Sequence, residues 1–196
     1  MKTAGQDALF TELYDAYSQP LYRYLYHLVG DVAHAEELLQ DVFMRAYRAL
    51  PRVDAGANYR AWLYQIATNA ARDWFRRQSV RRWLPLERER AQDAEPLEES
   101  LASDEPALPV EERLAVRDAL RELPGTYRTP LILFAVEGFS TTEIAAVLGI
   151  SRSAVKMRLL RARLLFQSAY GVCEREGASA SNIAQEPGSL SRVARR

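Results

Sequence analysis

Apolar residues return every three or four positions along most of the chain, and glycine, proline or small polar residues separate the stretches where they do. Over 7–29, Phe10, Leu13, Tyr14 and Tyr17, then Leu21, Tyr24, Leu25 and Leu28 beyond Pro20, predict a helix that stops at Gly30. Asp31 is placed to cap a second helix over 33–50. Its buried side is Leu38, Leu39, Val42, Phe43, Ala46 and Leu50, and its exposed side is Glu36, Glu37, Gln40, Asp41 and Arg45. Pro51 ends it, and the small polar run 52–58 (RVDAGAN) reads as a loop. A third helix follows over 59–78, with Tyr59, Leu63, Ala67, Ala70 and Trp74 as its core stripe. Gln65, Asn69, Arg72 and Arg76 lie nearly opposite, with Trp62 at the edge of that polar face.

Periodicity lapses over 85–109, a stretch with four prolines and many acids, and resumes beyond it. Helices are predicted over 110–123 (Leu114, Val116, Leu120 apolar) and 126–137 (Leu131, Leu133, Phe134, Val136), with Pro130 placed in the first turn of the latter. Residues 140–166 then read as two helices joined by a tight turn. Ser140 and Glu143 form a capping box, Ile144, Ala145 and Leu148 are apolar, and Gly149 supplies a left-handed stop. Ser151 caps the next helix, whose inner stripe is Val155, Leu159, Ala162 and Phe166. Opposite stand Ser153, Met157, Leu160 and Arg161, flanked by Arg152 and Lys156 on one side and Arg158 on the other. A helix with a core stripe behind and a basic face in front suits the DNA major groove. From residue 171 the chain turns small and polar and is expected to be a mobile tail.

The net charge is zero, 26 basic against 26 acidic residues, but the charges are segregated. Arg72, Arg76, Arg77, Arg81 and Arg82 form one basic block, the last predicted helix another, and the stretch between them is acidic. A single cysteine, Cys173, forbids an internal disulfide and fits a reducing cytoplasm. Two histidines and one cysteine make a zinc site improbable, and neither metal nor cofactor is expected. No apolar run is long enough to cross a membrane, and the first ten residues do not read as a signal peptide. Glycine-rich phosphate loops, metal-ligand spacings and nucleophile elbows are lacking, so an enzyme is not expected.

Three segments in this order and spacing carry a resemblance: AEELLQDVFMRAYRAL, YRAWLYQIATNAARDWFRR and LRELPGTYRTPLILFAVEGFSTTEIAAVLGISRSAVKMRLLRAR. Together the chain resembles a sigma factor of the extracytoplasmic-function group of the sigma-70 family. The resemblance implies an all-α fold of two small helical domains: domain 2, a three- or four-helix bundle over 7–84, and domain 4, carrying the helix-turn-helix over 110–170. An acidic linker (85–109) joins them, and a tail (171–196) follows. It implies binding to the β and β′ subunits of core RNA polymerase, promoter DNA as the second partner, and control by an anti-sigma factor.

Residue by residue, Gln40 and Asp41 match the family segment that docks on the polymerase clamp, with Glu37 and Arg45 on the same exposed side. Phe43 of that segment reads as core. Trp62 matches an aromatic at the upstream edge of the melted −10 element, and Asn69 a base-reading position; Gln65, Arg72 and Arg76 share their face. The loop ending at Asn58 matches one that holds a flipped base. By its surroundings alone, Trp62 reads first as a lid on the core and only second as a base-stacking platform. Arg152, Ser153, Lys156, Met157, Arg158, Leu160 and Arg161 fall in the −35 reading region, and Arg163 reads as a phosphate contact. The linker is either a nucleic-acid mimic in the polymerase channel or a plain tether. Two other readings stay open: a helix-turn-helix regulator that is no sigma factor, and a sigma mimic that titrates an anti-sigma factor.

Overall fold

The computed structural model describes residues 2–54, 56–81 and 109–183. Residues 82–108, which include the expected 85–109 linker except Pro109, and the last thirteen residues of the expected tail lie outside it. Among the described residues seven α-helices run in order: α1 (Lys2–Val29), α2 (Val32–Ala49), α3 (Tyr59–Arg81), α4 (Val110–Glu122), α5 (Gly125–Ala135), α6 (Thr141–Leu148) and α7 (Arg152–Ile183). A 3₁₀ turn, Leu50–Arg52, follows α2. The described residues contain no strand. Among them no helix is long and apolar enough to cross a membrane, and no cluster of side chains could hold a metal ion.

Local chemistry explains most of the boundaries. The Asp31 carboxylate accepts from the His34 amide at 2.8 Å and starts α2. Gly30, Gly138 and Gly149 have φ of 74°, 67° and 65°, so each can end its segment in the left-handed region without a side-chain penalty. Two helices outrun their expected limits. α1 begins at Lys2 rather than at residue 7, and its start is held by α2: the Tyr47 hydroxyl donates to Asp7 at 3.0 Å and the Gln6 amide to the Tyr47 carbonyl at 3.3 Å. α7 runs on to Ile183, through a stretch expected to be tail. That stretch holds no proline, and its two glycines each cost a helix only about 1 kcal/mol. Pro130 lies in the second turn of α5, which starts at Gly125, not in the first.

α1, α2 and α3 pack as one module; α4, α5 and α6 pack on α7 as a second. The modules also meet, α3 against α6 and α1 against α4 and α5, so buried residues of both form one continuous cluster. At the centre of the first module the Tyr24 hydroxyl lies 2.7 Å from Thr68 Oγ1, which itself donates to the Tyr64 carbonyl at 2.7 Å. The threonine has one hydrogen, so Tyr24 must be the donor of the pair. Burial pushes the Tyr24 hydroxyl far above its ordinary pKa, and it stays protonated. Thr68→Val is therefore expected to cost about 1–3 kcal/mol, because it strands a buried hydroxyl. Tyr24→Phe should cost less, because Thr68 keeps its carbonyl. Urea melts of the two variants check the order.

Candidate nucleic-acid and polymerase interface

The second module builds one candidate face. Ser140 Oγ accepts from the Glu143 amide at 3.3 Å, and Glu143 accepts from the Ser140 amide at 2.9 Å, so the capping box is complete. The Ser140 hydroxyl and amide hold the Glu143 carboxyl below its usual range. At the head of α7, Ser151 Oγ accepts from the Ala154 amide at 3.2 Å. Val155, Leu159 and Ala162 are buried on the side of α7 that packs on the rest of the second module, α4, α5 and α6, which fixes the rotation of α7. Arg152, Ser153, Lys156, Met157, Leu160 and Arg161 are consequently exposed, and Arg158 is half-buried. Met157 and Leu160 are 61% and 56% exposed, a large apolar area to leave in water between cations. Arg152 Nε donates to Thr141 Oγ1 at 3.2 Å and ties α7 to α6. The Arg163 guanidinium lies 5.4 Å from the Phe134 ring centroid, leaning back on α5.

The first module builds two more. On α3, Gln65, Asn69, Arg72 and Arg76 are exposed along one side, while Leu63, Ala67 and Ala70 are buried on the other. Arg72 donates to the Asn69 side chain at 3.2 Å, which orients the amide. Arg76 pairs with Asp73 at 3.2 Å. Trp62 is half-buried and lines a small apolar gap with Phe10, Leu13, Phe43, Ala46, Leu50 and Leu63. One side of the indole is thus part of the core. The Asn58 side chain accepts from the Ala61 amide at 3.0 Å, so this loop residue caps the start of α3 while remaining exposed. On α2, Glu37 and Gln40 are exposed and Asp41 and Arg45 half-buried. Arg45 is shared between Asp41 of its own helix at 2.7 Å and Asp73 of α3 at 3.6 Å. Phe43 is buried, with its ring against Phe10 and Tyr14.

The periodicity did not single out the residues where the modules meet. Phe139, in the turn before α6, is buried against the Tyr64 ring of α3, centroids 4.9 Å apart, and lies 4.1 Å beneath the Arg60 guanidinium. Arg60 donates to the Glu137 carbonyl and the Tyr64 hydroxyl to the Glu137 carboxylate. Burial raises the Glu137 carboxyl pKa, and burial beside that carboxylate raises the Tyr64 hydroxyl. Arg121 donates to the Gly30 carbonyl, and the buried Arg128 to the Leu28 carbonyl at 2.8 Å. Burial, and then the nearby Arg121 charge, lower the Arg128 pKa. One signal for Tyr64 was legible. Leu63, Ala67 and Ala70 are accompanied on α3 by a second unbroken stripe, Tyr64, Thr68 and Ala71, too wide for a helix that covers one neighbour only.

The family model for sigma-70 region 2 matches residues 13–81, and that for sigma-70 region 4 matches residues 113–165. The "Probable RNA polymerase sigma factor RfaY" of Xanthomonas campestris pv. campestris is 38% identical over 138 residues; the match covers 69% of this chain but only 34% of that protein. The ECF RNA polymerase sigma factor SigL of Mycobacterium tuberculosis is 34% identical over 158 residues, covering 80% of this chain and 85% of SigL. Among solved structures, sigma factor RpoE in complex with the anti-sigma factor NepR from Bartonella quintana superposes with a TM-score of 0.67 at 25% identity, covering 83% of this chain and 97% of that one. Both halves match in order, and the helix-turn-helix and the three-helix module stand where those matches place regions 4 and 2. The chain belongs to the sigma-70 family of RNA polymerase sigma factors, in its extracytoplasmic-function group.

Proposed function

We propose that this sigma factor docks on core RNA polymerase through Glu37, Gln40, Asp41 and Arg45 on the outer side of α2. It reads the −10 element with Trp62, Gln65, Asn69, Arg72 and Arg76 on α3, with Asn58 at the adjoining loop. It reads the −35 element with Arg152, Ser153, Lys156, Met157, Arg158, Leu160 and Arg161 on α7. One observation carries the reading: each module presents a polar or basic helix face to solvent, backed by a fully buried stripe that fixes its orientation. A regulator working through the helix-turn-helix alone would leave the α3 face without a use. On α7 the exposed Met157 and Leu160 favour thymine methyl groups, while Arg161 and Lys156 supply donors to guanine or phosphate. The likeness to a sigma factor solved with an anti-sigma factor supports an anti-sigma protein as the inhibitory partner. No catalytic group, metal or cofactor is needed for this work, and the cytoplasm is where its polymerase would be met.

The test is run-off transcription with purified core polymerase on the fragment upstream of the chain's own gene. A discrete transcript that appears only with the protein is expected. Firm binding to core without any transcript, on this fragment and on a random library of promoters, would favour a mimic. Failure to bind core would reject the sigma reading.

A further inference from the structure

One acid stands among the cations of the α3 face. Asp73 follows Asn69 by four residues and precedes Arg76 by three, so it shares their side of the helix. A carboxylate there works against DNA phosphates, whose contacts supply the part of affinity that needs no particular sequence. Its bonds give it a reason to be there. Asp73 Oδ2 lies 3.6 Å from Nη1 of Arg45 on α2, and Asp73 Oδ1 lies 3.2 Å from Nη2 of Arg76 on its own helix. Arg45 in turn donates to both oxygens of Asp41, at 3.0 and 2.7 Å. Charges thus alternate along a row, Asp41, Arg45, Asp73 and Arg76, that crosses from α2 to α3.

Exposure rises along that row. The Arg45 and Asp73 side chains are each 38% exposed and that of Arg76 is 77% exposed. Arg45, forked onto Asp41, anchors Asp73 at the base of the face, and Asp73 faces Arg76 at its edge. Each oxygen of Asp73 faces an arginine, which makes it a counter-ion rather than a reader of bases. An exposed pair of this kind adds little to stability. What it changes is the field, because the Arg76 charge is offset 3.2 Å away before any phosphate arrives. We propose that Asp73 is a specificity-determining residue of the α3 face: held in place by Arg45, it offsets Arg76, lowers the sequence-independent part of DNA binding and leaves a larger share of the affinity to contacts with bases. It acts through Arg76, as a positioning residue for that guanidinium. What it sets is the ratio of promoter to non-promoter binding, more than the affinity itself. This role rests on the reading of α3 as a DNA face.

The test follows binding of the full chain to a random-sequence duplex by fluorescence anisotropy, over about 50 to 200 mM salt. Asp73→Asn, and equally Asp73→Ser, is expected to tighten binding several-fold at the low end. Each should steepen the fall of log affinity with log salt by about 0.9, the mark of one more phosphate contact. Damage to the fold would weaken binding, so a gain cannot come from it. Asp73→Glu, which keeps the anion, should match the parent. In an Arg76→Ala background Asp73→Asn should change nothing, because the cation it would release is gone. With core polymerase added, the Asp73→Asn holoenzyme should lose more run-off transcript to random competitor DNA than the parent does. Parental affinity and salt slope in both neutral variants would overturn the proposal. So would a gain that persists in the Arg76→Ala background, or equal losses to competitor. Failure of the DNA-face reading looks different: Arg76→Ala alone would then leave affinity and slope as they are in the parent.

Discussion

Val155→Asp is expected to unfold the helix-turn-helix. Val155 is fully buried, on the side of α7 that packs on α4, α5 and α6, in one buried apolar cluster with Ile144, Leu148 and Leu159. A carboxylate there would lose its water among apolar side chains. An uncompensated buried charge costs about 3–5 kcal/mol, a large share of the roughly 5–15 kcal/mol that stabilises an ordinary domain. The expected result is loss of amide protection through α5, α6 and α7 in hydrogen exchange and a lowered urea midpoint. Ser153→Asp, two residues earlier on the exposed side, should leave both nearly unchanged. A normal melt for Val155→Asp would mean that α7 is rotated away from the orientation described, and the assignment of its outer face would fall with it.

Arg161→Ala is expected to weaken binding to the −35 duplex by about 1–3 kcal/mol, five- to 150-fold, with little change in stability. Arg161 is exposed and follows Met157 by four residues, so the two share one ridge of α7. Arg163→Ala should do less, because that guanidinium leans onto Phe134 away from the ridge. Fluorescence anisotropy on the duplex located by run-off transcription separates the two, and a salt titration adds a second criterion. A lost base contact relaxes sequence preference, whereas a lost phosphate contact lowers the salt slope by about one and weakens all sequences alike. Unchanged affinity for Arg161→Ala would remove it from the reading face.

On the proposed reading of α7, Met157 and Leu160 would bear on which promoter is preferred. Exposing them costs solubility, and neither joins the core, so a role in contact is the simplest reason for their place. The half-buried Trp62 is a compromise of the other kind. One side of the indole closes the apolar gap beside Phe43 and Leu63, and what remains exposed is available for stacking. The two roles read from the sequence for this residue are therefore compatible.

Features set by neighbours within four residues were legible from the chain alone. The Asp31 cap, the Ser140–Glu143 box and the left-handed Gly149 are bonds and torsions local to a turn, and they appear where the residue types put them. The split of α7 into a buried stripe and an exposed basic face is likewise local, since a helix with one wide apolar side has one way to bury it. The same logic gave the polar side of α3 and the burial of Phe43. It stopped short at the ends of α1 and α7, because helix limits depend on tertiary support and on the absence of a breaker as much as on pattern. Only the tertiary structure decided where the modules meet. Arg60 and Glu137 are 77 residues apart, and Arg128 and Leu28 are 100 apart. An arginine that will be buried on a distant carbonyl has the same local sequence as one left in water, so Arg128 reads as surface until the two modules meet.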